Sequence, residues 1–156
     1  MTPFILRRTL LCICFIFINF SASSVFSQTF TFTAIPDQDQ TRLKQRFDQV
    51  ATYLESKLDI QVNYIPVKSY SAAITAFRNN QVQLAWFGGL SGVQARRLVP
   101  GSEAIAQGEE DQHFKSVIIA NTHTKLVASD KLPASPQSYT FTFGSKGSTS
   151  GRLMPE

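Results

Sequence analysis

Between residues 143 and 151 the chain gathers hydroxyls and small residues, Phe143-Gly144-Ser145-Lys146-Gly147-Ser148-Thr149-Ser150-Gly151. The run before it, Tyr139 to Phe143, is aromatic and β-branched and reads as a strand, while Arg152-Leu153-Met154 reads as the first turn of a helix. A strand, a small-residue turn and a helix start make an anion cradle. Free backbone N–H groups and the positive end of the helix dipole converge there, and Ser148, Thr149 and Ser150 add three hydroxyls. The same residues also make an ordinary N-cap and turn, a role Ser and Thr commonly fill. From the local sequence both readings stand. Lys146 is near enough in sequence to join an anion contact, but such a cradle does not require a full positive charge.

Catalytic readings of this segment fail on spacing. Gly147-Ser148-Thr149-Ser150-Gly151 has Thr149 at its centre, so it is not a Gly-x-Ser-x-Gly nucleophile elbow. It lacks the Gly-Lys-Ser/Thr ending of a phosphate-binding P-loop. His113 and His123 are ten residues apart, with no cysteine or carboxylate partner at metal-ligand spacing. With no nucleophile, acid–base pair or metal cluster assembled, the expectation is a binding protein, not an enzyme, with no cofactor and no metal. Tyr70, at a helix start, and Trp86-Phe87, at a strand end, are aromatic groups placed either to pack the core or to face a ligand. Arg96-Arg97 reads as a solvated helix face.

The elements that must position these groups follow from periodicity. Thr29 to Ile35 alternates Thr and Phe before Pro36-Asp37 breaks it, a first strand. Leu43, Phe47, Val50, Ala51, Leu54 and Leu58 fall on one face of a helix from Asp39 to Leu58, with Asp39 or Thr41 as its cap. Ile60 to Val67 is a second strand. Ser69 caps a second helix burying Ala72, Ala73, Ile74, Ala76 and Phe77 and ending at Asn79-Asn80. Val82 to Phe87 is a third strand, and Leu90 to Leu98 a short helix after Gly88-Gly89. The alternation predicts an α/β fold with a parallel sheet. Ligands of such sheets sit beyond the carboxyl ends of the strands, here the loops at Pro36, Lys68 and Phe87. Further on, Ala104 to Ala106 reads as a short strand and Phe114 to Asn121 as a strong one. A domain crossover is expected near residue 110, where Gly108-Glu109-Glu110-Asp111 makes an acidic turn.

The N-terminus reads as a cleavable export signal over residues 1–27. Arg7-Arg8 begin it, Thr9 to Phe20 form its apolar centre, and Val25-Phe26-Ser27 precedes a cut before Gln28. The apolar run is shorter than the roughly twenty residues a spanning helix needs. Cys12 and Cys14 both lie inside it, so the rest of the sequence holds neither disulfide nor thiol. The formal charge of +4 falls to about +2 without Arg7 and Arg8, since thirteen Lys and Arg then face eleven acids. These charges are dispersed, which excludes a basic nucleic-acid surface.

Several phrases together resemble one family. They are Ala34-Ile35-Pro36-Asp37-Gln38, the helix into Tyr53-Leu54, Tyr64-Ile65-Pro66-Val67, Tyr70 to Arg78, Leu84-Ala85-Trp86-Phe87-Gly88-Gly89, and the closing Phe143-Gly144 with Ser148-Thr149-Ser150-Gly151. In order and spacing they are similar to the phosphate-, phosphite- and phosphonate-binding proteins of ABC transporters. The Trp-Phe-Gly-Gly-Leu variant is most like members labelled selenate-binding. The resemblance implies a periplasmic-binding-protein-like fold of type II, with two lobes, hinge strands and closure on the ligand. Residues 28–110 would be lobe one, and 111–156 a hinge strand and the incomplete start of lobe two. It implies a periplasmic protein, monomeric when full length, that passes a small oxyanion to a membrane permease. Its ligand-binding residues would be Ser148, Thr149, Ser150, Tyr70, Phe87 and Gly88. Many phosphonate binders carry a tyrosine where this chain has Phe87, so one hydroxyl donor is missing. The same lobes also occur as sensory input domains of membrane histidine kinases, the alternative reading. Family members continue well past residue 156, so residues 28–156 alone are expected to fold poorly or aggregate.

Overall fold

A computed structural model describes residues 29–156; the export signal expected over residues 1–27 lies outside the described residues. Strand β1 (Phe30–Ala34) is followed by helix α1 (Gln40–Leu58), β2 (Val62–Tyr64), α2 (Tyr70–Arg78), β3 (Leu84–Trp86) and α3 (Gly89–Leu98). The strands form one parallel sheet in the order β2-β1-β3, with Phe32 opposite both Tyr64 and Leu84 and Ala34 opposite Trp86. Parallel strands need crossovers, and α1 and α2 supply them. The expected α/β repeat is present, with β2 and β3 shorter than the sequence suggests.

Alternation along β1 sorts its two faces. Phe32 and Ala34 are buried with Leu43, Phe47 and Ala51 of α1 and Val62 of β2, with Phe30, Leu54, Ile60, Tyr64 and Leu84 packed around them. The Phe32 and Phe47 rings meet edge to face at 6.0 Å, and Phe47 stacks on Tyr64 at 5.1 Å. Burial of each such ring contributes roughly 1.5–3 kcal/mol. On the opposite face Thr33 is fully buried, and its hydroxyl donates to the Ile65 carbonyl at 2.6 Å. Helices α2 and α3 pack together, and their buried residues are small (Ala73, Ala76, Ser91 and Ala95).

The helix ends obey local chemistry. Asp39 Oδ1 accepts from the N–H groups of Thr41 and Arg42 at 3.1 and 3.2 Å, which settles the choice of cap. The α1 C-cap, Asp59, sits at φ 54°. Ser69 Oγ accepts from Ala72 N–H at 3.1 Å, and α2 unwinds through Asn79 and Asn80 as expected. Because the strands are parallel, the N-termini of α1, α2 and α3 all lie at the carboxyl edge of the sheet.

Beyond α3 the expected strands do not form. Ala104 to Ala106, Phe114 to Asn121 and Tyr139 to Phe143 are extended without a ladder. A strand is a hydrogen-bonded partnership, and none of these runs finds a partner among the described residues; Ile119 is 90% exposed. Only 3-10 turns interrupt this stretch, at Glu110–His113, Thr122–Thr124 and Pro136–Ser138. The helix expected to open at Arg152 is instead a single π-helical turn, Thr149–Leu153. It begins three residues earlier because Ser148 caps it, accepting from Gly151 N–H at 3.0 Å, and because Leu153 N–H and Met154 N–H reach back to the Ser148 and Thr149 carbonyls.

Candidate functional site

The Ser/Thr loop is shaped by its own backbone. Gly144 N–H donates to the Gly151 carbonyl at 2.6 Å, and Ser148 N–H donates to the Ser145 carbonyl at 2.9 Å, closing residues 144–151 into a compact turn. Gly144 and Gly151 lie so close that a side chain on Gly144 would meet the Gly151 backbone at 3.0 Å. Ser148, Thr149 and Ser150 are each partly buried. The N–H groups of Thr149 and Ser150 make no hydrogen bond among the described residues.

This loop lies against the N-termini of α2 and α3. Thr149 Oγ1 accepts from the Leu90 N–H, in the first turn of α3, at 2.9 Å. A Cβ on Gly89 would stand 3.3 Å from that oxygen, a tight approach, whereas one on Gly88 would meet it in ordinary contact at 3.8 Å. Gly88 is the N-cap of α3 and cannot cap with a side chain; Ser91 does the work from inside the helix. The fully buried Ser91 hydroxyl accepts from Gly88 N–H at 3.1 Å and donates to the Gly88 carbonyl at 3.2 Å. That reciprocal pair fixes the turn and leaves the Leu90 N–H pointing outward. On the other side Gly147 rests on the Tyr70 side chain, at the first residue of α2.

Of the six residues expected to bind ligand, Tyr70, Gly88, Ser148 and Thr149 are thus tied into one place, with Ser150 next along the same turn. Phe87 behaves differently. Its ring meets Phe77 of α2 edge to face at 5.8 Å, filling the space between two helices. Trp86 is 42% exposed, with its ring 6.5 Å from Phe47 on the α1 side of the sheet. Lys146 is exposed. Arg152 is bound elsewhere: it pairs with Glu156 at 2.9 Å and stacks on the Phe143 ring at 4.3 Å. The loop is therefore surrounded by neutral donors and helix ends, an arrangement chemically able to hold an anion.

Two features were missed in the sequence. Ser91 looks like any helix serine; its spacing of three from the glycine cap was the available signal. Gly147 reads only as part of a small-residue turn, whereas its bareness is a packing requirement. Near the same sheet edge, Asp37 has its carboxyl pushed up, chiefly by burial and further by the Asp111 charge, with Arg46 opposing. His123 hydrogen-bonds Asn121 in an exposed turn, and no group of three or more potential metal ligands gathers among the described residues.

The chain is similar to known proteins. Residues 32–156 match the family described as ABC transporter, phosphonate, periplasmic substrate-binding protein. The chain is 50% identical over 125 residues to the Prochlorococcus marinus (strain MIT 9301) protein named "Probable ABC transporter phosphite binding protein PhnD1", covering 79% of this chain and 42% of that one. It is 31% identical over 127 residues to the Escherichia coli (strain K12) "Phosphonates-binding periplasmic protein", covering 80% and 37%. A solved structure of the Prochlorococcus marinus PhnD1 in complex with methylphosphonate superposes with a TM-score of 0.78 at 46% identity, over 83% of this chain and 48% of that one. The chain spans less than half the length of these relatives. It belongs to the family of periplasmic substrate-binding proteins of phosphonate ABC transporters.

Proposed function

We propose that this chain belongs to a periplasmic solute-binding protein that captures a small phosphorus oxyanion and delivers it to an ABC permease in the inner membrane. The anion would lie between lobe one, residues 28–110, and the lobe opened by residues 111–156. One observation carries the reading: in a chain 50% identical to a phosphite-binding relative, the Ser148-Thr149-Ser150 turn sits against the N-termini of α2 and α3.

Each donor has a role in that reading. The Thr149 and Ser150 N–H groups and the three hydroxyls take anion oxygens. Gly88 lets the anion approach the α3 backbone, and Tyr70 supplies a wall and a phenol. Phe87 brings no hydroxyl to the site, and its ring packs on Phe77 of α2. Charge-assisted hydrogen bonds of about 1.5–3 kcal/mol each, reduced by ordering costs, bring four or five contacts to about micromolar affinity. Chemistry on the ligand is not part of this role, and no cofactor is needed for it.

Calorimetric titration of the full-length protein with phosphite, methylphosphonate, phosphate, selenate and sulfate tests the reading. The expected result is binding of a phosphorus oxyanion at micromolar or tighter Kd, with selenate and sulfate weaker. Failure of all five to bind would overturn it.

A further inference from the structure

Thr33 lies in the central strand with 0% of its surface exposed, and its hydroxyl donates to the Ile65 carbonyl at 2.6 Å. Valine has nearly the same shape and suits a buried strand, so packing alone does not call for a hydroxyl here. The bond falls where the sheet lets go of the chain. The register of β1 with β2 ends at Phe32 opposite Tyr64, and the Ile65 N–H still reaches the Phe32 carbonyl at 2.8 Å. The next residue, Pro66, has no N–H with which to extend the ladder. Among the described residues, Ile65 is thus the last before α2 to be hydrogen-bonded to β1, once through its N–H and once through the Thr33 hydroxyl.

Five residues on, Tyr70 opens α2. Pro66 and Lys68, between them, are exposed. Ser69 bonds only locally, accepting from the Ala72 N–H at 3.1 Å and meeting the Ser71 hydroxyl at 3.0 Å. Those contacts shape the first turn of α2 without fixing it against the sheet. The buried residues of α2 are Ala73 and Ala76, whose small side chains interlock little with their neighbours and resist sliding weakly. The start of α2 is therefore referred to the sheet at Ile65.

We infer that Thr33 is a positioning residue for anion binding: its hydroxyl pins the Ile65 carbonyl and, through the short connection 65–69, sets where Tyr70 stands at the carboxyl edge of the sheet. This rests on the capture role proposed above, in which Tyr70 forms a wall of the site. Without the hydroxyl the Ile65 carbonyl turns to water, which is within reach because Ile65 is 44% exposed, and the connection turns with it. The Ser/Thr turn is held by its own backbone bonds and does not share in the change.

The test titrates full-length protein with methylphosphonate in the unchanged chain, Thr33→Val, Tyr70→Ala and the double variant. Thr33→Val should raise Kd about 5-fold, the worth of one hydrogen bond lost in placing a binding group. Thr33→Ser, which keeps the hydroxyl, should restore it. In the Tyr70→Ala background Thr33→Val should change Kd by less than about 2-fold, because the group it positions is gone. Its effect on Tm should be the same in both backgrounds. A lower Tm with unchanged Kd overturns the inference, and so does an equal loss of affinity with and without Tyr70. Thr33→Cys, a much weaker donor of similar size, takes the place of Thr33→Val if that variant does not fold. A second readout needs no anion: with 3-fluorotyrosine incorporated and Tyr70 assigned through Tyr70→Phe, Thr33→Val should shift the Tyr70 fluorine resonance and leave that of Tyr53, on the outer side of α1, in place. An unmoved Tyr70 resonance overturns the inference. If methylphosphonate does not bind the unchanged protein, the capture role fails while the resonance still decides whether Thr33 places Tyr70.

Discussion

The tetrapeptide Thr-Phe-Thr-Phe occurs twice, at residues 29–32 and 140–143, and the two copies have opposite fates. The first runs into β1, the central strand, with β2 and β3 hydrogen-bonded on its two sides and Phe32 only 2% exposed. The second makes no ladder at all, and its Phe141 is 49% exposed. There Phe141 and Phe143 pack on each other, ring centroids 4.9 Å apart, in place of a core. Composition and alternation are the same, so neither explains the difference. What differs is company. The first copy is followed by a helix and two further strands that complete its ladders and cover a face. Strand propensity is largely a measure of fit to a half-buried pleated surface. Where no such surface is offered, the same residues stay extended and wet.

The comparison breaks most visibly at the two phenylalanines. In residues 29–156, Phe32→Ala should cost about 3–5 kcal/mol, because it empties a packed position among Phe47 and Tyr64. Phe141→Ala should cost about 1 kcal/mol or less, the worth of one exposed aromatic pair. Urea unfolding at low protein concentration measures both. Equal costs would mean that residues 140–143 sit in a core after all. In full-length protein a rise in the cost at Phe141 would show that a partner strand reaches it.

Solution behaviour should divide along the same line. Ile105, Phe114, Val117, Ile119, Val127 and Leu132 are all more than 60% exposed, and β2 and β3 are open edges. That is the physical basis for expecting residues 29–156 alone to aggregate. Residues 29–102 keep every strand and lose the exposed apolar run, so light scattering should be lower for the shorter piece at equal concentration. Hydrogen exchange of the longer piece should protect amides of β1 and leave residues 114–121 exchanging fast. Protection at 114–121 would contradict the unpaired state.

A smaller effect is expected at the site itself. Ser91→Ala removes the hydroxyl that both accepts from and donates to Gly88, leaving a largely buried turn unsatisfied. The expected loss is about 1–2 kcal/mol of stability, together with weaker anion binding, since the Leu90 N–H is no longer held in place. Unchanged Tm and Kd would show that Gly88 holds its turn unaided.

The first half of the fold was legible because its signals are local and mutually consistent. The Leu43-Phe47-Ala51 spacing, the Asp39 and Ser69 caps and the Asn79-Asn80 stop each agree with the element they bound. Strands 104–106, 114–121 and 139–143 were misjudged because pairing is not local: Phe114 to Asn121 has ideal strand residues, and no ladder reaches it. At the site, the type of the Ser148-Thr149 turn was readable as an anion cradle or cap. Its position against Leu90 and Tyr70 was not, because those contacts join residues 59 or more apart. Phe87 shows the limit from the other side, since residue type alone does not tell that its ring turns to Phe77.

The least effect, and the finest discriminator, is electrostatic. The two regions touch near Trp86, where a Cβ on Gly108 would lie 3.8 Å from the indole ring and 2.7 Å from Asp111 Oδ2. Asp111 is therefore carried back towards Asp37, whose carboxyl is pushed up by burial first and by the Asp111 charge as a further cause. A folded-state pKa above the ordinary value of 3.8 means the folded protein binds the proton more tightly than the unfolded chain. Stability then falls as pH rises through the folded value, and the penalty is fully present at neutral pH and absent below 3.8. Asp37→Asn should raise Tm at pH 7 and leave it unchanged under acid conditions. Asp111→Asn should recover a smaller part of the same gain, and should add nothing on top of Asp37→Asn. Thermal unfolding of the two single variants and the double variant at pH 7 and pH 3 measures this. If Asp111→Asn shifts Tm at pH 7 equally with and without Asp37, the acidic turn is not seated on the first region. The contrast between the packed and unpaired halves would then extend across the whole of residues 103–143.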